Sequence, residues 1–300
     1  MKIVVTGSLG HISKPLTEEL IQNGHSVKVI SHNPERQKDI EALGAAAAIG
    51  SMEDEEFLKT AFTGADAVYC MISAGNSYLN QSFDLLDYTA KIGNNYKNAI
   101  QNAGVKRIVF LSSIGAHLNK GNGLLAFYNH VEKILNELPS DVCITFMRPV
   151  GFYYNLLGFI NTIKTQGVIA TNYGGDVPKP WVSPIDIAAA AAEELVADQP
   201  ASRKNRYVAS DEISCNNLAE LLGEAIGKPD LKWIIISDEQ MLNGMKVAGM
   251  NPKIAAGLVE MSSGTNKGDL YEDYKRNKPE LGKVKLADFA KEFARVFNSN

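Results

Sequence analysis

Ile3-Val4-Val5-Thr6-Gly7-Ser8-Leu9-Gly10-His11-Ile12-Ser13 decides the fold. An apolar run leads straight into a turn with two glycines, and Ile12, Leu16, Leu20 and Ile21 then recur at helical spacing. Strand, glycine turn and helix in that order form the first crossover of a dinucleotide-binding sheet. Gly7 lets the chain turn sharply out of the strand, and Gly10 lets the backbone approach a pyrophosphate without a Cβ in the way. The first amides of the helix then face the phosphates, assisted by the helix dipole. The third glycine of the usual fingerprint is Ser13 here. It falls where helix packs closely on strand, so a small residue suffices. The competing reading is an ordinary glycine turn that binds nothing.

Outward from this stretch, strands and helices alternate. Residues 2–6 read as a strand and 11–23 as a helix ended by Gly24; Ser26 to Ile30 is the second strand. Pro34 opens a short helix, and Gly44 to Gly50 reads as a third strand. Asp54 to Phe62 is helical, Ala67 to Ile72 a strand, and 82–103 a long helix ended by Gly104. Arg107 to Leu111 is the fifth strand, 124–138 a helix and Cys143 to Met147 a sixth strand. This order predicts an α/β fold, a Rossmann doubly wound parallel sheet with ligands along one edge.

After Pro149 the alternation fails. Gly151 to Pro184 reads as irregular and aromatic-rich, Asp186 to Val196 as an alanine-rich helix suited to close packing, and Arg206 to Ala209 as a further strand. Ser214 caps a helix over 216–226, Leu231 to Ile236 is a strand, and Ser237-x-x-Gln240 is a capping box for the next helix. Residues 286–297 place Leu286, Phe289, Phe293 and Phe297 on one helix face. The expected division is a nucleotide-binding domain over 1–150, with 183–210 packing back on it. A smaller, interwoven C-terminal lobe over 151–300 would bind substrate.

Composition narrows the classes. The chain has 300 residues, 45% hydrophobic and 21% charged, as in a globular protein. A net charge of −4 gives no electrostatic case for nucleic acid. Cys70, Cys143 and Cys215 lie far apart, without metal-ligand or paired spacing, so a reducing cytoplasm and no bound metal are expected. Cys143 falls in an apolar strand pattern and is expected in the core. No signal-peptide or membrane-spanning pattern is seen.

The residue ending the second strand selects the nucleotide. An acid there would bond the ribose hydroxyls of NAD. Here the strand ends Ile30-Ser31-His32-Asn33, with no carboxylate before Glu35, and Arg36 and Lys38 follow. Donors and cations without an acid favour the 2′-phosphate of NADP, and NAD is the second choice.

Four motifs now stand in order: Thr6-Gly7-x-x-Gly10, Leu111-Ser112-Ser113, Arg148-Pro149-x-Gly151-Phe152-x-x-Asn155, and Val182-x-x-x-Asp186-Ile187-Ala188. With them the chain resembles an atypical short-chain dehydrogenase/reductase, and more closely the NmrA-like NAD(P)-binding family with its quinone-reductase-like members. The resemblance runs from residue 1 to about 228. It implies a Rossmann lobe, a variable small lobe and a substrate between them. The cofactor would lie on Gly7, Ser8, Leu9, Gly10, His11 and Ile12, then on Ser31, Asn33 and Arg36. Met71, Ile72, Ser73 and Ala74 would follow it, Ser112 and Ser113 would lie near the nicotinamide, and Phe152, Tyr153, Tyr154 and Asn155 would border the substrate pocket.

One departure bears on chemistry. Short-chain reductases commonly use Tyr-x-x-x-Lys, where the lysine lowers the tyrosine pKa. Here Tyr128 is followed at that spacing by Glu132, with Lys133 about 140° around the helix. A carboxylate beside Tyr128 would raise its pKa. Tyr128 and His117 are the candidate proton donors, with His130 a further one, and each also has an ordinary structural reading. The residues leave three functions open. The first is an NADPH-dependent oxidoreductase acting on a quinone or similar electron-poor molecule, which can take its protons from water. The second, permitted by the resemblance to the NmrA-like family, is a non-catalytic NAD(P) sensor that binds a regulatory protein partner. The third is a sugar-nucleotide epimerase, which would want the missing pair.

Overall fold

The computed structural model describes residues 1–299. Seven parallel strands form the central sheet: β1 (Lys2–Val5), β2 (Ser26–Ser31), β3 (Ala46–Ile49), β4 (Ala67–Cys70), β5 (Arg107–Leu111), β6 (Cys143–Pro149) and β10 (Arg203–Val208). Their order is β10-β6-β5-β4-β1-β2-β3, so the winding direction reverses between β1 and β4. This is the doubly wound sheet expected from the alternation. Its ligand crevice belongs at that reversal, outside the carboxyl ends of the strands.

The apolar run of β1 is continuous because both faces of the sheet are covered. Ile3 and Val5 face α1 (Ser13–Gln22) and α7 (Pro184–Val196), packing with Leu16, Leu20 and Ala191. Val4 faces α3 (Glu55–Phe62) and α4 (Leu85–Ala103), packing with Leu58, Phe62 and Tyr96. Successive residues of a strand point to opposite faces, so one short run serves two cores. The alanines of α7 let that helix lie close to α1, and Ser183 caps it by accepting from the Ile185 amide.

Other helices are α2 (Gln37–Ala42) and α5 (Ala126–Asn136). Three expected helices start later than predicted. The turn holds the chain to Ile12, so α1 begins at Ser13. Asp84 accepts from the Leu86 and Asp87 amides, so α4 begins at Leu85 rather than 82. A single tight turn over Gly123–Leu125 precedes α5.

The segment expected to be irregular is corrected. It holds β7 (Gly151–Phe152), α6 (Ile160–Gln166), β8 (Val168–Thr171) and β9 (Lys179–Val182). β9 pairs with β7 and with β11 (Asp211–Ile213), while β8 pairs with β12 (Lys232–Ile235). The strands are short and their partners distant, so no local pattern marks them. Helices α8 (Cys215–Ala225) and α12 (Leu286–Ser299) cover this region, and Phe289 and Phe293 join Tyr153, Leu156, Trp181 and Trp233 in a third core. α9 (Asp238–Val247) carries the capping box of Ser237 and Gln240. α10 (Pro252–Lys267) is a helix the sequence reading did not include, and α11 (Glu272–Arg276) follows it. Cys143 is only half-buried, unlike Cys70 and Cys215.

The two regions are stitched together. The Asp186 carboxylate accepts from Ser210 Oγ at 2.5 Å and from the Lys283 and Val284 amides, each at 3.1 Å. The acid of the Val182-x-x-x-Asp186 motif therefore anchors the C-terminal segment. Among the described residues, no helix is long and apolar enough to cross a membrane.

Candidate active site

A cleft of about 740 Å³ runs along the carboxyl edge of the sheet. Its floor is the glycine turn. Gly7 sits at φ +90°, and a Cβ there would meet Ser13 Oγ at 2.6 Å and Met71 Cγ at 2.9 Å. Only glycine serves at this position. Ser8 is also left-handed, at φ 56°, a conformation that costs a non-glycine residue about 1 kcal/mol or more. Its amide donates to Ile30 O at 3.0 Å and its hydroxyl to Ser31 Oγ at 3.0 Å, which hold it there. Gly10 closes the turn by donating to Gly7 O at 3.2 Å. Ser13, in place of the third glycine, donates to Thr6 O at 2.8 Å and ties helix to strand.

The turn suits a pyrophosphate. Gly7, Ser8, Gly10, His11 and Ile12 line the cleft, and Ile12 at the N-cap of α1 makes no side-chain capping bond. The leading amides of a ten-residue helix therefore meet the cleft without a side-chain partner, as an anion site requires. Leu9 turns away and packs on the core.

At the β2 end, Ser31 and His32 line the cleft; Asn33 and Arg36 do not. Asn33 Oδ1 accepts from the Glu35 amide at 3.0 Å and caps the next turn. Arg36 is exposed and pairs with Asp39 at 3.1 Å. Across the cleft, Glu53 lines the wall and pairs with Lys91 at 2.9 Å.

The opposite end is aromatic. Met71, Ile72, Ser73 and Ala74 run along the wall, joined by Tyr78, Leu111, Tyr128, Phe152 and Tyr154. His11 stacks on Tyr154 with ring centroids 4.6 Å apart, linking the glycine turn to the aromatic end. Tyr153 is corrected: its ring is buried in the third core and its hydroxyl donates to Val284 O at 3.0 Å. Asn155 is exposed and lies off the cleft. Ser112 is buried, donating to Glu132 Oε1 at 2.5 Å, and neither it nor Ser113 lines the wall.

A family profile described as NmrA-like matches residues 1–289. The chain belongs to the NmrA-like family. It is 24% identical to quinone oxidoreductase 2 of Escherichia coli strain K12, over 99% of each chain. It is also 24% identical to the NAD(P)H azoreductase of Xenophilus azovorans, over 86% of this chain and 85% of that one. The structure superposes on the crystal structure of an Escherichia coli NADPH-dependent quinone oxidoreductase complexed with NADPH at a TM-score of 0.79. That match covers 97% of this chain and 99% of the other at 24% identity.

In this NmrA-like chain, Tyr128 faces the aromatic end of the cleft. Burial raises its pKa first, and the neighbouring phenols Tyr78 and Tyr154 add to the effect. Glu132 is not the cause, correcting the expectation from spacing: it is turned away and bound by Arg148. Lys133 donates to Asn119 Oδ1 at 2.9 Å, so it does not replace the missing lysine. Tyr128 is therefore a neutral phenol that can donate a hydrogen bond. Tyr154 is likewise raised by burial, to about 12.

His117 is off the cleft, beside Arg148 and Asp273, and burial lowers its pKa while Asp273 opposes. His130 is exposed. No cluster of metal-binding side chains occurs among the described residues. His32 and Tyr78 were passed over in the sequence reading. His32 directly follows the carboxyl end of β2, and Tyr78 lies in the loop that leaves the carboxyl end of β4, the positions where such sheets bind ligands.

Proposed function

We propose that this chain is an NADPH-dependent reductase of flat, electron-poor small molecules, with quinones the leading class. The observation that carries the reading is the continuity of the cleft from an uncapped glycine turn to an aromatic end. In this reading residues 1–150 with 183–210 form the nucleotide-binding part, and the lobe over 151–300 adds Phe152 and Tyr154 to the aromatic end of the cleft.

The turn Gly7–Ile12 would take the pyrophosphate, Ser31, His32 and Arg36 the adenosine 2′-phosphate, and Met71 to Ala74 the nicotinamide arm. Bound NADPH supplies a hydride. The protein supplies orientation: Phe152 and Tyr154 offer faces to a planar acceptor, and Tyr78 and Tyr128 offer neutral phenols to its oxygens. A hydroquinone can take its protons from water, so no tyrosinate is needed. The similarities to a quinone oxidoreductase and an azoreductase support this assignment.

The absence of a lysine partner for Tyr128 also suits a second reading, a dinucleotide sensor of NmrA type with a protein partner. One assay separates them. NADPH oxidation is followed across a panel of quinones, azo dyes, aldehydes and enones. Saturable turnover with quinones supports the reductase. Tight NADPH binding with no turnover on any acceptor favours the sensor.

A further inference from the structure

Asn251 lies off the cleft, yet it holds the loop that carries the lining residue Tyr78. It is 2% exposed. Its Nδ2 donates to three carbonyls of one loop, Asn80 O at 2.9 Å, Gln81 O at 3.3 Å and Phe83 O at 3.2 Å. Its backbone amide donates to a fourth, Tyr78 O at 3.0 Å. Its Oδ1 accepts from the Lys253 and Ile254 amides at 2.9 and 3.4 Å and so caps α10. Donors toward carbonyls and oxygen toward amides fix the orientation of the amide group, because the reverse would face like against like on both sides.

The loop so held carries Tyr78 into the aromatic end, near Tyr128 and Tyr154. The same helix also packs on a second segment that lines the cleft. A Cβ at Gly257 of α10 would come within 3.3 Å of the Leu124 amide, and Leu124 lines the cleft. α10 therefore contacts two segments that line the cleft.

We propose that Asn251 is a positioning residue for the acceptor subsite, and that Tyr78 is the specificity-determining residue through which it acts. This rests on the reductase reading above. Asn251 fixes the backbone of residues 78–84. That backbone holds the Tyr78 ring against a planar acceptor across from Tyr128. The nucleotide end of the cleft is built by other elements and does not depend on it.

Asn251→Asp separates the two roles of the side chain. Aspartate still caps α10 well. It also turns a carboxylate oxygen toward three carbonyls in place of a donor. Losing these bonds corresponds to about tenfold faster exchange at the Ser77, Asn80 and Phe83 amides, with those of α10 still protected. The binding arm uses 1,4-naphthoquinone on the NADP⁺-loaded protein, where no hydride is available. Its Kd rises about tenfold in N251D, a loss comparable to the bonds removed, while NADPH affinity is unchanged. Y78A weakens naphthoquinone similarly, and N251D/Y78A is no weaker than Y78A alone.

Unchanged loop exchange and unchanged naphthoquinone affinity in N251D overturn the proposal. So does full additivity in the double variant, or loss of protection throughout α10. If N251D does not fold, Asn251→Ser removes the same donors while keeping a short cap, and is read in the same way. Failure of naphthoquinone to bind the wild-type chain refutes the quinone reading itself. Binding that N251D leaves untouched refutes only the role of Asn251.

Discussion

Arg148 grips Glu132 through two hydrogen bonds, Nε to Oε1 at 3.0 Å and Nη2 to Oε2 at 2.6 Å, with both side chains less than a tenth exposed. Ser112 donates to the same Oε1, Arg148 Nη1 reaches Asp273 at 3.2 Å, and Tyr207 donates to Asp273 at 2.5 Å. Burial alone would lower the Arg148 pKa, but the hydrogen bonds and charge of Glu132 outweigh it and hold it above its usual value. The glutamate found where reductases commonly carry lysine thus joins α5 to β6 and α11.

Removing one partner leaves the other charge buried. Glu132→Gln is expected to destabilise the protein by about 3 kcal/mol, near the lower end for breaking a buried pair because Asp273 still faces Arg148. Replacing both, as Glu132→Leu with Arg148→Met, should recover most of that loss. Urea unfolding measures both. A single variant within 0.5 kcal/mol of wild type, on the order of an ordinary surface change, would contradict this account.

Glu194 carries a pH prediction. Burial raises its pKa, but Lys204 at 2.7 Å, Arg206 at 2.8 Å and Thr145 at 3.0 Å all donate to it, and the net shift is downward from 4.5. A carboxylate depressed by folding stabilises the protein above its unfolded pKa and loses that contribution as pH falls through the folded one. Stability should therefore decline below about pH 4.5, and Glu194→Gln should flatten part of that decline. Thermal unfolding of both proteins across the acid range checks this. Parallel profiles would show that Glu194 is not the linked group.

The sheet was legible because its signals are local. Alternating apolar runs, glycine stops and the Phe289–Phe293–Phe297 stripe each lie within one element. α10 was not legible. Its Asn251-Pro252 start is a proper cap, but Gly257 and Gly264 interrupt the apolar stripe, and those glycines exist for close approach to residues 121–125. At the site, the glycine turn could be placed from its spacing alone. Tyr153 and Tyr154 could not be told apart, since adjacent residues face opposite ways and only the lobe core decides which ring is buried. The partner of Glu132 was equally hidden. Arg148 lies sixteen residues on and meets it only because β6 lies beside β5.

Nucleotide preference follows from the end of β2. The Arg36–Asp39 pair is exposed on both sides, and such pairs hold a side chain only loosely. Arg36 is thus free to turn toward a 2′-phosphate near Ser31 and His32. Arg36→Ala should weaken NADPH by about tenfold, the strength of one charge-assisted contact, and leave NADH unchanged. Titration calorimetry with both nucleotides decides it. Equal loss for both would remove Arg36 from the phosphate site and leave His32 as the basic side chain there.

The last prediction concerns Tyr128. Its phenol is partly buried at the cleft wall, its pKa is raised, Lys133 is tied to Asn119, and Glu132 is held by Arg148. Among the described residues no cation is placed to stabilise a tyrosinate, so Tyr128 can orient an acceptor but is poorly suited to give up its proton. Tyr128→Phe should keep quinone turnover within about tenfold of wild type, well short of the roughly 10²–10⁴-fold that an essential general acid supplies. The raised phenol should also leave the rate without an ionisation from Tyr128 between pH 7 and 9, roughly the range below its ordinary pKa. Steady-state rates of both proteins across that range test the two statements together. A drop of about 10²-fold at unchanged NADPH affinity would show that Tyr128 does transfer the proton. Carbonyl compounds, which need that proton, would then displace quinones as the expected substrates.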